Sequence, residues 1–275
     1  MSDTKRACSI IALQLLAFWP VWRWYGARVT DSTDETWSLL ALSTVIILLL
    51  FRRRRAAAHE ARRPSLQLLL LPTIVLFVYA ATYALVPPLV RACFAVTAVG
   101  LTISALLFGR RVQAGLLGLM YLSLPLIPTL QFYGGYPLRM VVAGVAAPVI
   151  RLGGFAVIQQ GTCLNWSGKL IWIDAPCSGV RMLWVGLYLA CTLACLYGLR
   201  FLKTLLVLAA AFCAIILGNI FRAVALFYFE AGIVEMPSWA HDYTGVVAFL
   251  LVAASIVAAV QLIRGEKLCG GLFYT

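Results

Sequence analysis

The chain has 275 residues, of which 63% are hydrophobic and 12% charged, and its mean hydropathy is +0.95. The core of a water-soluble domain cannot absorb that much apolar sequence, so the composition predicts a polytopic membrane protein. The net charge of +12 does not point to nucleic acid, because the 22 Lys and Arg gather in short gaps between apolar runs, where they fix membrane orientation.

A membrane-spanning helix needs roughly 20 apolar residues. About eight such runs occur, near 8–25, 35–51, 66–86, 88–108, 113–133, 176–199, 203–229 and 241–263. Lys5 and Arg6 ahead of the first run give it the outline of a signal peptide, for which cleavage would fall after Ala27. Phe18, Trp19 and Trp22 fit a retained first span better, since aromatic rings favour the membrane interface. Val86, Pro87 and Pro88 mark a tight turn between the third and fourth runs.

The stretch from 134 to 175 is the one long connection expected. Within it the apolar run after Arg139 is too short to span and predicts a helix lying in the interface. Two β-favouring runs then flank Asn165, Trp166, Ser167 and Gly168, which predicts a short β-hairpin. The expected fold is all-α and polytopic, with this helix and hairpin between spans five and six. It forms one integral membrane domain over 1–275: five spans in 1–133, the outer loop 134–175, and three spans in 176–263.

Fourteen of the basic residues collect on one side, among them Lys5, the Arg52–Arg55 run, Arg110, Arg111, Arg200 and Arg264. That side is expected to be cytoplasmic, with both termini inside a multi-pass cell-membrane protein. The Arg run also suits contact with anionic membrane lipid.

Three stretches carry polar residues near the outer ends of apolar segments: 174–181 (DAPCSGVR), 218–224 (GNIFRAV) and 239–245 (WAHDYTG). Polar groups there cost free energy unless they have a partner or a task. Asp174 is a candidate N-cap and Pro176 is tolerated in a first helical turn, which predicts Cys177 in that turn, where free N–H groups favour a thiolate. Arg181 would then share its helical face, and Ser178 and Gly179 leave room for a peptide to approach. Arg222 follows Asn219 by three residues on one face, a placement suited to a cation aimed at a developing oxyanion, with Asn219 orienting it or donating a second hydrogen bond. His241 is the one imidazole available on the outer side, since His59 lies in the basic cytoplasmic loop. Each residue also has a plain structural reading: a packing cysteine, an arginine reaching the headgroups, an interfacial histidine.

The eight cysteines form no CxxC pair and no Cys/His cluster, and the sequence holds no HExxH, P-loop or dinucleotide fingerprint. His241, Asp242, Asp174 and Glu230 lack metal-ligand spacing. No cofactor and no metal is expected.

Together, Cys177-Ser178-Gly179, Asn219-Ile220-Phe221-Arg222 and His241 resemble the exosortase/archaeosortase family in order, spacing and side, over about 176–250. Those are multi-span, transpeptidase-like enzymes similar to sortases in chemistry but not in fold. The resemblance implies a thiol protease or transpeptidase acting on exported proteins that end in a short PEP-CTERM-like motif, a transmembrane helix and a basic tail. It implies Cys177 as nucleophile, Arg222 as oxyanion stabiliser and His241 as proton carrier, an unidentified acceptor nucleophile, and a link to exopolysaccharide loci. A second reading is a transporter or lipid-handling scaffold that binds an anion through Arg222 and His241, with Cys177 packing. A third is a membrane acyltransferase or simple protease using the same three residues.

Overall fold

The computed structural model describes residues 3–31, 36–56, 66–109, 112–173, 179–234, 237 and 240–265, with backbone alone at positions that include His241 and Asp242. The chain divides into two compact units, Met1–Leu126 with Cys191–Leu205, and Ile127–Ala190 with Leu206–Thr275.

In the first unit, helices α1 (Asp3–Ala17) and α2 (Trp19–Asp31) meet at a 68° bend. The single straight span expected over 8–25 is therefore a broken pair. Pro20 has no N–H to continue the α1 ladder, and Phe18 fills the corner, fully buried and edge-on to Tyr79 at 4.8 Å. Helix α3 (Thr36–Ala56), a 3₁₀ turn at Leu66–Leu69 and α4 (Leu70–Thr82) follow. Helix α5 (Pro88–Phe108) starts with Pro88 in its first turn and ends at Gly109, whose φ of +59° is the left-handed C-terminal stop. Its small residues, Ala92, Ala95, Ala98 and Ala105, are fully buried, and it packs against α1, α2, α4 and the short α6 (Ala114–Leu122).

The second unit begins where the sequence predicts the middle of a span. No single helix runs over 113–133: α6 stops at Leu122, and α7 starts at Ile127 and continues to Leu152. Pro125 and Pro128 cannot donate to a helix ladder, which places the break. The interfacial helix expected after Arg139 is the second half of this 26-residue α7. Gly134, Gly135 and Pro137, read from sequence as loop, lie inside it. One observation accounts for its continuity. The face formed by Val142, Ala143, Ala146, Ala147 and Ile150 is buried in the core of this unit, and burial of such a stripe outweighs local helix propensity.

The expected hairpin is present and carries a third strand. Strands β1 (Val157–Gln160), β2 (Cys163–Trp166) and β3 (Lys169–Trp172) form an antiparallel sheet in the order β1-β2-β3. Ser167 and Gly168, with φ of 51° and 82°, make the two-residue turn. Val157, Leu164, Ile171 and Ile173 face inward onto α7 and onto Ile220, Ala223 and Phe227 of the next long helix. Phe155, Trp166 and Phe227 pack edge to face around them. Three more helices complete the chain: α8 (Val180–Leu196), α9 (Phe201–Glu230) and α10 (Ala240–Arg264).

Helices α5, α7, α9 and the Tyr243–Arg264 part of α10 are long and apolar enough to cross a membrane, with α1–α2 a fifth if the bent pair is one span. Trp37–Phe51, Gln67–Thr82 and Val180–Leu196 are apolar but shorter. Length and composition thus carry four or five of the eight expected crossings.

Candidate active site

Helix α9 positions the site. Ile215, Gly218, Asn219 and Arg222 follow one another at i, i+3, i+4 and i+7, so they form one stripe along it. Each meets a different neighbour. Ile215 packs into the space left by Gly186 of α8, where an added Cβ would lie 2.6 Å from its Cδ1. Gly218 admits Val252 of α10, whose Cγ2 occupies the place a side chain would take.

Asn219 is 3% exposed and lies against Gly179. A Cβ at 179 would come within 2.7 Å of Asn219 Nδ2 and 3.0 Å of its Cγ. Gly179 also has a φ of +77°, which L side chains rarely adopt. Glycine is therefore required there twice over, by backbone conformation and by contact. This residue comes two after Cys177, so the Asn219 side chain is seated at the exit of the cysteine motif.

Arg222 reaches the other way. An added Cβ at Gly245 would lie 3.5 Å from Arg222 Nε and 3.6 Å from its Cζ, so the guanidinium lies over Gly245 at the distance where a methyl group would just touch it. Gly245 is one helical turn beyond His241 on the same face. The Nε of Arg222 is buried and has no hydrogen-bond partner among the described residues. A buried donor without a partner is costly.

Arg222 and Asn219 also face a shallow recess whose opposite wall is Leu164, Ile171, Trp172 and Ile173 of the sheet segment. A second, apolar recess shares Asn219 and Gly179 and runs between Leu138 and Val141 of α7, Leu183 of α8 and Phe212 of α9. Asn219 is thus common to both recesses.

The sequence-derived residues are distributed as follows. Asn219 and Arg222 stand on one stripe of α9, Gly179 contacts the first, and the α10 segment bearing His241 contacts the second. Asp174, Cys177 and Ser178 lie outside the described residues, as does the side chain of His241. Helix α8 begins at Val180, behind the left-handed Gly179. The expected placement of Cys177 in a first helical turn, with Arg181 on its face, falls outside the described residues. Arg181 is exposed in the first turn of α8. Two contributors escaped the sequence reading. Gly245 is recognisable only as a small residue one turn from His241, and β3 was read as a strand of the hairpin but not as a wall of this site. Among the described residues no group of three or more His, Cys, Asp or Glu side chains is placed to hold a metal ion.

Residues 24–258 match the family model described as Transmembrane exosortase (Exosortase_EpsH), a range that contains all three motif stretches. The chain belongs to the transmembrane exosortase family. No curated protein and no solved structure matches it. In this exosortase the match takes in α3 to α9, the sheet and most of α10, so it includes the contacts of Asn219 and Arg222 described above.

Proposed function

We propose that this exosortase is a cysteine transpeptidase or protease that cleaves C-terminal sorting signals from exported proteins at the outer face of the cell membrane. In the acylation step His241 takes the Cys177 thiol proton and the thiolate attacks the scissile carbonyl carbon. The carbonyl oxygen becomes an oxyanion, which Arg222 stabilises. Collapse of the tetrahedral species breaks the C–N bond, and the His241 imidazolium gives its proton to the leaving amine. An acceptor amine or water then attacks the thioester, losing its proton to His241 and regenerating the thiol. Asn219 acts as a positioning residue between the cysteine motif and Arg222.

The observation that carries this reading is the double contact of α9: Asn219 against Gly179 and Arg222 against Gly245. One helix side thereby touches the segments bearing the proposed nucleophile and the proposed proton carrier. The buried Nε of Arg222 lends further support, since a preorganised donor in a low-dielectric site stabilises developing charge most effectively.

The topology proposed with it counts α1–α2, α3, α4, α5, α7, α8, α9 and α10 as one crossing each. That even number leaves both termini on the basic, cytoplasmic side and the turn between α9 and α10 outside. Substrates would be exported proteins ending in a motif, a transmembrane helix and a basic tail, with the helix reaching the site laterally through lipid.

The test is replacement of Cys177 by Ala in cells that export a reporter with such a tail. Loss of cleavage at unchanged enzyme level is expected, and intact cleavage would remove Cys177 as nucleophile. Mass spectrometry of the reporter's new C-terminus separates the two outcomes of the thioester: a free acid means hydrolysis, an adduct means transfer. The partnerless Arg222 Nε also fits an anion-binding scaffold, and in that case Cys177→Ala leaves function intact while Arg222→Ala abolishes it.

A further inference from the structure

Strand β3 lies at the edge of its sheet: among the described residues it pairs with β2 alone. The hairpin geometry decides which of its backbone groups face outward. Trp166 and Lys169 close the two-residue turn, whose carbonyl-to-amide bond makes them a hydrogen-bonded pair. In an antiparallel ladder such pairs alternate, so Lys169 and Ile171 bond toward β2 while Leu170 and Trp172 turn their N–H and C=O away. Ile173 agrees with this alternation, its N–H donating to the Thr162 carbonyl at 3.3 Å. No other backbone bond among the described residues reaches Leu170 or Trp172.

An open edge of this kind is a template for another extended chain. Two features say which chain. The residues of this edge, Ile171, Trp172 and Ile173, line the same recess as Asn219 and Arg222. In sequence Cys177 follows Trp172 by five residues, which at about 3.3 Å per residue limits their separation to about 17 Å. A peptide laid on this edge lies within that reach of the cysteine.

We propose that the free edge of β3 is a peptide-docking strand: an extended segment of the substrate next to the bond to be cleaved adds to the sheet, exchanging backbone hydrogen bonds with Leu170 and Trp172. Docking of this type takes its affinity from the main chain and its selectivity from alternate side chains. The proposal rests on the acyl-enzyme reading above for the identity of the peptide. The exposed Leu170 and Trp172 side chains, 44% and 60% accessible, flank the docked strand on the outer face of the sheet.

The sheet supplies its own control. Ile158 pairs with Asn165 and Asn165 with Leu170, so Ile158 and Leu170 lie in one row on one face, at opposite edges. Both are exposed, Ile158 at 64%. Strands are about 4.8 Å apart, so a chain added beyond β3 lies about 5 Å from Leu170 and about 14 Å from Ile158. A photoreactive benzoylphenylalanine is placed at 170 or at 158 in full-length Cys177→Ala enzyme, in membranes that also contain the tailed reporter. Cross-linking to the reporter at 170 and not at 158 is expected. In the active enzyme, Leu170→Pro removes an outward N–H and spares the ladder, a change that edge strands tolerate. It is expected to raise KM about tenfold with little effect on kcat.

Reporter cross-links of equal yield at both positions, or none at 170, overturn the docking strand whatever cleavage does. Cross-links from 170 to a second copy of the enzyme overturn it as well, by giving the edge a different occupant. If the reporter cross-links at 170 but its cleavage survives Cys177→Ala, the docking strand stands and the acyl-enzyme reading falls.

Discussion

The guanidinium of Arg222 lies over Gly245, with Nε and Cζ 3.5 and 3.6 Å from the position a Cβ would take there. This contact ties the α9 arginine to α10 one turn from His241, and it leaves little depth for a side chain at 245. Gly245→Ala is expected to be tolerated, because a methyl group at that distance is in ordinary contact. Gly245→Leu is expected to displace the guanidinium and lower reporter cleavage at least tenfold. The measurement is cleavage rate against enzyme level in isolated membranes, and equal rates for Ala and Leu would show that the arginine's position does not matter.

Gly179 answers to two constraints at once. A left-handed non-glycine residue costs of order 1–3 kcal/mol, and a Cβ there also meets Asn219 Nδ2 at 2.7 Å. Gly179→Ala is expected to lower the midpoint of thermal unfolding in detergent. Adding Asn219→Ala is expected to recover part of the loss, the part due to contact, and to leave the backbone part. Full recovery, or none, would contradict this division.

The chemistry assigned to Arg222 depends on a planar fork of donors and not on charge alone. Arg222→Lys keeps the charge and replaces the fork with a compact ammonium. Loss of one oxyanion donor typically costs about 10²–10³ in kcat, so a fall in kcat of that order with KM nearly unchanged is expected. A rise in KM at constant kcat would make Arg222 a substrate-binding residue instead.

Gly218 lets α9 and α10 approach closely, since Val252 occupies the space of the missing side chain. Gly218→Ala alone is expected to destabilise the packing of these two helices and with it the Arg222–Gly245 contact. Gly218→Ala combined with Val252→Ala is expected to be milder than Gly218→Ala alone, because the second change vacates the contested volume. A double-mutant cycle on thermal stability measures that coupling, and strict additivity would mean the two residues do not share the space.

Some of this was readable from sequence because the physics involved is local or periodic. Hydropathy announced a membrane protein, and the turn cluster at Ser167-Gly168 announced a hairpin, since a two-residue turn with φ above zero at both positions needs such residues. The spacing of Asn219 and Arg222 announced a shared helix face. The reading failed where long-range burial overrode local signals. Helix α7 passes through Gly134, Gly135 and Pro137 because its alanine-rich face is covered by the sheet and α9. The bend at Phe18 is set by a pocket beside Tyr79 that lies 61 residues away in sequence.

The sequence by itself determined the class of protein and which residues share a helix face, because composition and periodicity act within one element at a time. Only the tertiary structure decided that Asn219 meets Gly179, that Arg222 meets Gly245 and that, among the described residues, β3 pairs on one side alone. Those relationships are made by glycines that let helices approach and by strands that pair or do not. A missing side chain or an unmade hydrogen bond acquires meaning only from the neighbour that stands opposite it.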